Sequence, residues 1–471
     1  VKAYSSHDAI HRLNQPHRPM TSPSDRPHAD PGFFKRIRLS ILSDPVIPRT
    51  DLERKRYLFR NLVLHFRPAT VPVDTLRFSL TWGLGGMAAV LVLLQIGTGV
   101  LLKFAYEPTP AAAYASIQSL VAGVPFGRLI RNMHHWCAHL LVLVVLLHML
   151  RVFFTGAFHP PRQFNWIIGL TLFCFVLIAN FSGYLLPWDQ LAYWAVTVST
   201  GMLEYVPWFG FAVQKLIRGG PDIGPATLRI FFAVHTAVVP ILLFLLMGFH
   251  FWRVRKAGGL VIPHAPGEAP LDPPKRVPTL PDLLLRETVV ATALIAVVML
   301  LAIFFDAPLD DPANPGLSPN PTKAPWYFAG LQELLLHLHP LFAVFIVPLV
   351  AAAALLTLPY LRYETDTGGI WFASRTGRIA GIVAASTALA VTPVLILLDD
   401  WLTRPGNRFS SIPAVIGDGL IPFGILLAAI ALFYRMLRRR VSASRNETVQ
   451  TVFIFLLAAF IIMTITGVWF R

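Results

Sequence analysis

The sequence predicts an all-α polytopic membrane protein of about nine transmembrane helices, and three observations carry that expectation. Of its 471 residues 55% are hydrophobic and only 14% charged, with a mean hydropathy of +0.59, whereas a soluble domain carries about a quarter charged residues. Nine apolar runs are each long enough to cross a hydrocarbon core of about 30 Å. Lysine and arginine gather in alternate loops, the distribution that orients helices in a bilayer.

The formal net charge of +15 would suit nucleic acid or anionic lipid. Its distribution decides for lipid, because no basic, aromatic-interleaved soluble domain is present and no nucleic-acid partner is expected.

The elements follow in order. Residues 1–70, rich in Pro, Arg, His and Asp, read as a polar cytoplasmic N-terminal extension with an interfacial helix around Phe33–Leu42 and no early apolar core of a cleavable signal. The unit 71–256 holds four spans, with runs centred on 78–104, 134–154, 166–186 and 228–252. Within it, 187–218 mixes aromatic, apolar and scattered polar residues, as interfacial helices do. The Pro- and Gly-rich stretch 257–286 is a linker. Five more runs follow, at 287–305, 338–360, 379–398, 419–437 and 451–470, divided between a unit at 287–400 and two additional helices in 401–471. Basic residues at 151–162, 253–286, 361–378 and 435–445, against acidic ones at 306–311 and 399–400, make the N-terminus cytoplasmic and put the other end on the positive side.

Four histidines carry most of the functional information. His134 and His148 lie 14 residues apart in the second run, and His235 and His250 lie 15 apart in the fourth. At about 1.5 Å per residue these steps cover roughly 21–22 Å and close to four turns, so each helix shows two imidazoles on nearly one face at two depths. Polar residues in lipid are costly and usually functional. Four at equal vertical steps read as the axial ligands of two haems, in a four-helix dihaem bundle followed by a five-helix C-terminal part. Gly85 and Gly99, and Gly169 and Gly183, repeat the 14-residue step in the first and third runs. Missing side chains at those depths let flat macrocycles approach the backbone, although small-residue helix packing explains any one of them alone. The two cysteines, Cys137 and Cys174, lie inside apolar helices without a C-x-x-C-H or a paired run, so neither a c-type haem nor an iron–sulfur cluster is expected on the chain.

Longer segments bear a family resemblance. RNMHHWCAHLLVLVVLLHMLRVFFTGAF, SGYLLPWDQLAYWAVTV and RIFFAVHTAVVPILLFLLMGFHFWRVRKAGG resemble, in order, the second helix, the end of the third helix with the quinol-site loop, and the fourth helix of cytochrome b of the quinol:cytochrome c oxidoreductases. DDPANPGLSPNPTKAPWYFAGLQELL resembles the loop of subunit IV, a separate polypeptide in photosynthetic complexes. Cytochrome b6-like and subunit IV-like parts are thus joined in one chain, over about residues 60–400, and the 15-residue step of the fourth helix is the cytochrome b6 version.

The resemblance implies that His134 pairs with His235 around a positive-side haem and His148 with His250 around a cytoplasmic-side haem, both b-type and non-covalent. His135 and His139 lie near the first level and could compete as ligands. Only His134 reproduces against His148 the step between His235 and His250; His139 would give roughly 13 Å and is assigned to packing or a propionate contact. Arg131 and Arg151 match arginines flanking the helix pair and are candidates for propionate ion pairs, with interfacial snorkelling as the alternative. Trp326 and Tyr327 belong to the quinol-site motif.

Two departures stand out. Gly83-Leu84-Gly85-Gly86 replaces the C-L-G-G whose cysteine holds an extra haem in photosynthetic complexes, so no covalent haem is expected. Ala324-Pro325-Trp326-Tyr327 replaces P-E-W-Y and lacks the glutamate that accepts a quinol proton. Glu333, expected at the start of the sixth span, Asp189 and Glu204 are the substitutes, and the sequence does not choose among them.

By resemblance, the chain is expected to be the cytochrome b subunit of a bacterial quinol:cytochrome c oxidoreductase, a multi-pass protein of the cytoplasmic membrane. Quinol oxidised on the positive side would give one electron to a Rieske iron–sulfur protein and then a c-type cytochrome. The other would pass through two haems to reduce quinone on the cytoplasmic side, a Q-cycle that builds protonmotive force in a homodimeric complex. A dihaem anchor of a dehydrogenase would lack the PWDQ and PWY segments. A transporter would not explain paired histidines at equal steps.

Overall fold

The computed structural model of the protein describes residues 32–41, 70–262, 275–319, 322–364, 372, 374–402 and 412–471. The extension assigned to 1–70 therefore lies outside the described residues except for 32–41 and Thr70, where a helix runs over Phe33–Ile41; residues 263–274 of the linker also lie outside them.

Among the described residues nine helices are long and apolar enough to cross a membrane: Leu84–Lys103, Gly127–Phe154, Gln163–Tyr184, Pro225–Lys256, Leu284–Phe304, Leu341–Tyr360, Arg375–Trp401, Val415–Arg439 and Arg445–Trp469. A chain in hydrocarbon must satisfy every backbone N–H and C=O internally, which a helix does. The protein is accordingly an all-α polytopic membrane protein. Each of the nine apolar runs corresponds to one span, although the first span begins at Leu84 rather than 78 and the sixth at Leu341 rather than 338, and the second and fourth reach further, to Gly127 and to Pro225–Lys256. Local chemistry sets several boundaries. Trp82 and Gly83 adopt left-handed backbone angles, φ 48° and 66°, and separate the short turn Phe78–Thr81 from the first span. Pro225 opens the fourth at the first helical position, where its missing N–H costs nothing. Ser444 and Glu447 form a reciprocal capping box at the head of the ninth.

The first five spans share one apolar core that includes Leu91, Val142, Val176, Val239 and Val298. Lipid is as apolar as leucine, so polar contacts and close packing must hold the helices together. The Asn132 amide donates to the Ala302 carbonyl and the Trp136 indole to that of Phe305, each at 2.9 Å, binding the second span to the fifth. The only sheet among the described residues is an antiparallel ribbon of Thr70–Pro72 with Arg276–Pro278, which ties the approach to the first span to the far end of the linker.

In the C-terminal part the ninth span lies along the seventh and along a separate 12-residue helix, Trp326–His337. Small residues allow the approach: a Cβ on Gly467 would come within 2.7 Å of the Ala329 carbonyl, and one on Gly330 within 2.6 Å of Thr464 Oγ1. This helix corrects one expectation. The chain turns extended at Leu338, ahead of Pro340, before the sixth span begins at Leu341. Glu333 therefore sits inside the Trp326–His337 helix rather than in the first turn of the sixth span. The stretch 187–218 forms two short helices, Gln190–Gly201 and Gly210–Arg218, between the third and fourth spans.

Candidate functional site

The second and fourth spans bring the four histidines together as two pairs. The rings of His134 and His235 have centroids 6.1 Å apart and those of His148 and His250 6.4 Å apart, both pairs inclined at 77°. The spacings of 14 and 15 residues meet because Val234–Val238, which contains His235, is a π-helical turn. Such a turn takes up one residue more than an α-turn.

Imidazoles at this separation are too far apart for a hydrogen bond between them. The gap suits a metal bound by one nitrogen of each ring, with two bonds of about 2 Å each. The other nitrogens support that use. His235 Nδ1 donates to the Ala179 carbonyl at 3.0 Å. His134 Nδ1 lies 2.9 Å from Thr98 Oγ1, whose own proton goes to the Leu94 carbonyl, so His134 is the donor there as well. A proton on Nδ1 leaves the lone pair on Nε2, the usual setting of a ligating histidine.

Each of the four glycines faces one of the four rings. A Cβ would lie 3.4 Å from His148 Cε1 at Gly85, 3.2 Å from His134 at Gly99, 3.7 Å from His250 at Gly169 and 2.5 Å from His235 at Gly183. Each missing side chain thus clears the edge of an imidazole, at the levels where the sequence places the macrocycles.

A cavity accompanies each level. The larger, about 360 Å³, contains His134 and His235 in its lining, and the smaller, about 80 Å³, His148 and His250. The arginines expected beside them line the same cavities. Arg131 donates to the carbonyls of Ala307 and Pro308 at 2.7 and 2.6 Å, bracing the loop after the fifth span. Arg151 donates through Nε to the Leu80 carbonyl at 2.9 Å, and its buried Nη2 has no partner among the described residues, a donor suited to an anionic group. Imidazoles with Nε2 available at the His134–His235 level, an orphaned guanidinium N–H at the His148–His250 level and glycine clearance at both fit haems carrying carboxylates.

The larger cavity extends past His134 to Asp189 of the PWDQ motif and Tyr327 of the PWY motif, and PWDQ docks on residues 311–314, about 120 positions further along the chain. Gln190 N donates to the Asp311 carbonyl at 2.8 Å and Ala313 N to that of Trp188 at 3.1 Å, while Asn314 N donates to Gln190 Oε1 at 2.6 Å. Trp188, in a left-handed conformation with φ 53°, turns the chain so that Asp189 caps the next helix. The Asp189 carboxylate accepts from Ala192 N at 2.9 Å and Asp310 N at 3.3 Å and lines the cavity. Burial pushes its carboxyl above the ordinary aspartate range, outweighing the two backbone donors that pull it down.

Tyr327 and Pro325 also line this cavity, and burial raises the Tyr327 phenol so that it stays a hydroxyl. Trp326 turns its indole N–H to His139 Nδ1 at 2.9 Å. His139 is thereby engaged by the PWY motif rather than left to packing alone, a contact across 187 residues that no spacing rule could have signalled.

The other two carboxylates lie elsewhere. Neither Glu333 nor Glu204 lines the cavity. Glu204 accepts from Gln214 Nε2 at 2.7 Å. Glu333, wholly buried, is bound by Arg471 and by His337 Nε2 at 3.1 Å.

Comparison with known proteins bears on this geometry. A family model described as Cytochrome b/b6/petB matches residues 72–258. The chain is similar to cytochrome b6 of Synechococcus sp. (strain CC9311), 43% identical over 211 residues, or 45% of this chain and 95% of the relative. It is also similar to cytochrome b6 of Porphyra purpurea, 42% identical over 175 residues, or 37% of this chain and 81% of the relative. Among solved structures, a chain of a hyperthermophilic respiratory Complex III is similar with a TM-score of 0.59 and 25% identity, covering 86% of this chain and 97% of that one.

Proposed function

The chain belongs to the cytochrome b/b6 family, and from that premise we propose that it is the cytochrome b subunit of a bacterial quinol:cytochrome c oxidoreductase. It lies in the cytoplasmic membrane with its N-terminus inside, in a homodimeric complex with a Rieske iron–sulfur protein and a c-type cytochrome. His134 with His235, and His148 with His250, hold two non-covalent b haems; when bound, these carry single electrons between a quinol-oxidising site and a quinone-reducing site on opposite sides of the membrane. The observation that carries the reading is the pairing of four imidazoles at two levels with nearly equal separations, 6.1 and 6.4 Å.

The protein's own contribution is positional and electrostatic. Thr98 and Ala179 keep Nδ1 protonated on one histidine of each helix, so that the ligating nitrogen needs no rearrangement. Pro187 and Asp189 of PWDQ and Pro325 and Tyr327 of PWY wall a largely apolar cavity that also holds polar groups, the composition expected of a quinone site. Quinol oxidation releases two protons, and in a poorly hydrated cavity an acceptor must stand within hydrogen-bond reach. Asp310 and Asp189 both line this cavity, and we assign the role of the missing glutamate to the buried Asp189 rather than to the exposed Asp310. Its two accepted backbone hydrogen bonds fix its orientation and leave lone pairs for a hydroxyl.

The experiment is quinol:cytochrome c reductase assay of the purified complex together with a redox titration of its visible spectrum. Two b-type centres and quinol-dependent cytochrome c reduction are expected. Two centres without that activity would make the chain a dihaem anchor of another enzyme.

A further inference from the structure

We infer that His139 donates a hydrogen bond to a quinol or quinone oxygen in the larger cavity, with Trp326 fixing the tautomer that lets it do so; the inference rests on the reading of that cavity as a quinol site. Tryptophan's indole N–H is a donor only, and it points at His139 Nδ1 from 2.9 Å. A nitrogen that accepts a hydrogen bond carries no proton, so the single proton of the neutral ring lies on Nε2. His139 lines the cavity with Tyr327 and Asp189, and among the described residues its Nε2 makes no hydrogen bond. His135, 4.6 Å away between ring centroids, and Tyr327, at 6.3 Å, flank the ring. The polar atom His139 offers the cavity is therefore an N–H.

The two polar groups divide the recognition. Asp189 as a carboxylate accepts from the hydroxyl of the reduced ring and has nothing to offer a carbonyl. An N–H donor serves both redox states, because the oxygen of a quinol and the oxygen of a quinone both present lone pairs. His139 is also poorly placed to take the proton. Accepting it at Nδ1 would break the bond from Trp326, and Nε2 is already protonated. It therefore orients the head group, and the proton goes to another acceptor.

The test uses the purified complex, with steady-state kinetics in quinol and the infrared carbonyl band of a 13C-labelled quinone. His139→Leu is expected to raise KM about tenfold, the loss of one neutral hydrogen bond at the upper end of its usual worth, and to shift the bound carbonyl band upward. His139→Gln, which restores an N–H donor, should return both readouts to near the wild-type values. Equal impairment in the Leu and Gln variants would reduce His139 to a packing residue and overturn the inference, as would a carbonyl band that does not move in the Leu variant. Loss of a b-type absorption band in His139→Leu would make the ring part of a haem site and overturn it too. A wild-type complex that oxidises no quinol would instead overturn the reading on which it rests.

Discussion

Arg471 and Glu333, 138 positions apart, form a two-pronged ion pair: the guanidinium donates from Nε at 3.1 and 3.2 Å and from Nη2 at 2.9 Å to a carboxylate that is wholly buried. Arg471 also reaches Asp400 at 2.8 Å, and His337 bridges Glu333 to Asp399 at 3.1 and 2.7 Å. The ends of the seventh and ninth spans are thereby fastened to the helix that carries Trp326 and Tyr327. Removing one member of a buried pair strands the other without compensation and costs about 3–5 kcal/mol, whereas removing both charges costs far less. Arg471→Ala should lower the apparent Tm of the detergent-purified complex, and Arg471→Ala combined with Glu333→Gln should recover most of the loss. A double variant no more stable than the single one would contradict this account.

For the histidine pairs, His148→Ala or His250→Ala should abolish one b-type centre and leave the other, and His134→Ala or His235→Ala should do the converse. Redox titration of the visible spectrum separates the two. Both centres surviving in the His148→Ala protein would break the assignment.

The glycines differ in how much room they leave, and the consequence should be graded. A methyl at Gly183 would meet His235 at 2.5 Å and force the ring to move, while one at Gly169 would sit 3.7 Å from His250, an ordinary contact. Gly183→Ala should lower haem occupancy or shift the potential at the His134–His235 level, and Gly169→Ala should leave its level close to native. The haem-to-protein ratio of the two variants, measured side by side, checks the order.

Asp189 gives a pH dependence. A proton acceptor works only while ionised, so quinol oxidation should decline as pH falls through the Asp189 pKa. Burial raises that pKa above the ordinary 3.8, and the decline should set in at higher pH than for an exposed aspartate. Asp189→Asn should slow quinol oxidation by around 10²-fold, the lower range for general base catalysis, and remove the acidic limb, with both haem spectra intact. An unchanged limb in that variant would send the search to Asp310, the other carboxylate that lines the cavity.

The spans and the histidine levels were legible because they are periodic within single helices: an apolar run and a 14-residue step need no knowledge of the rest of the chain. What was hidden depends on contacts between distant segments. Nothing local distinguishes Asp189 from Glu333 as an acceptor until the PWDQ loop docks on residues 310–314 and Arg471 claims Glu333. The Trp326–His139 bond crosses 187 residues, and the separate helix that carries Trp326 merges in sequence with the apolar run of the sixth span. Sequence also left open which ring nitrogen of His134 and of His235 is free, since Thr98 and Ala179 settle it from neighbouring helices.

The π-helical turn at Val234–Val238 makes the two histidine helices unequal in their tolerance of length change. Loss of one residue between Thr236 and Phe249 can be absorbed where the wide turn tightens to an α-turn, and the two imidazoles of that helix stay aligned. The second span holds no such slack between His134 and His148. The same loss there would swing one ring by about 100° away from its partner. Single-residue deletions between the paired histidines should therefore spare haem content in the fourth span and destroy it in the second, so that the fourth is the helix of this pair able to lose one codon.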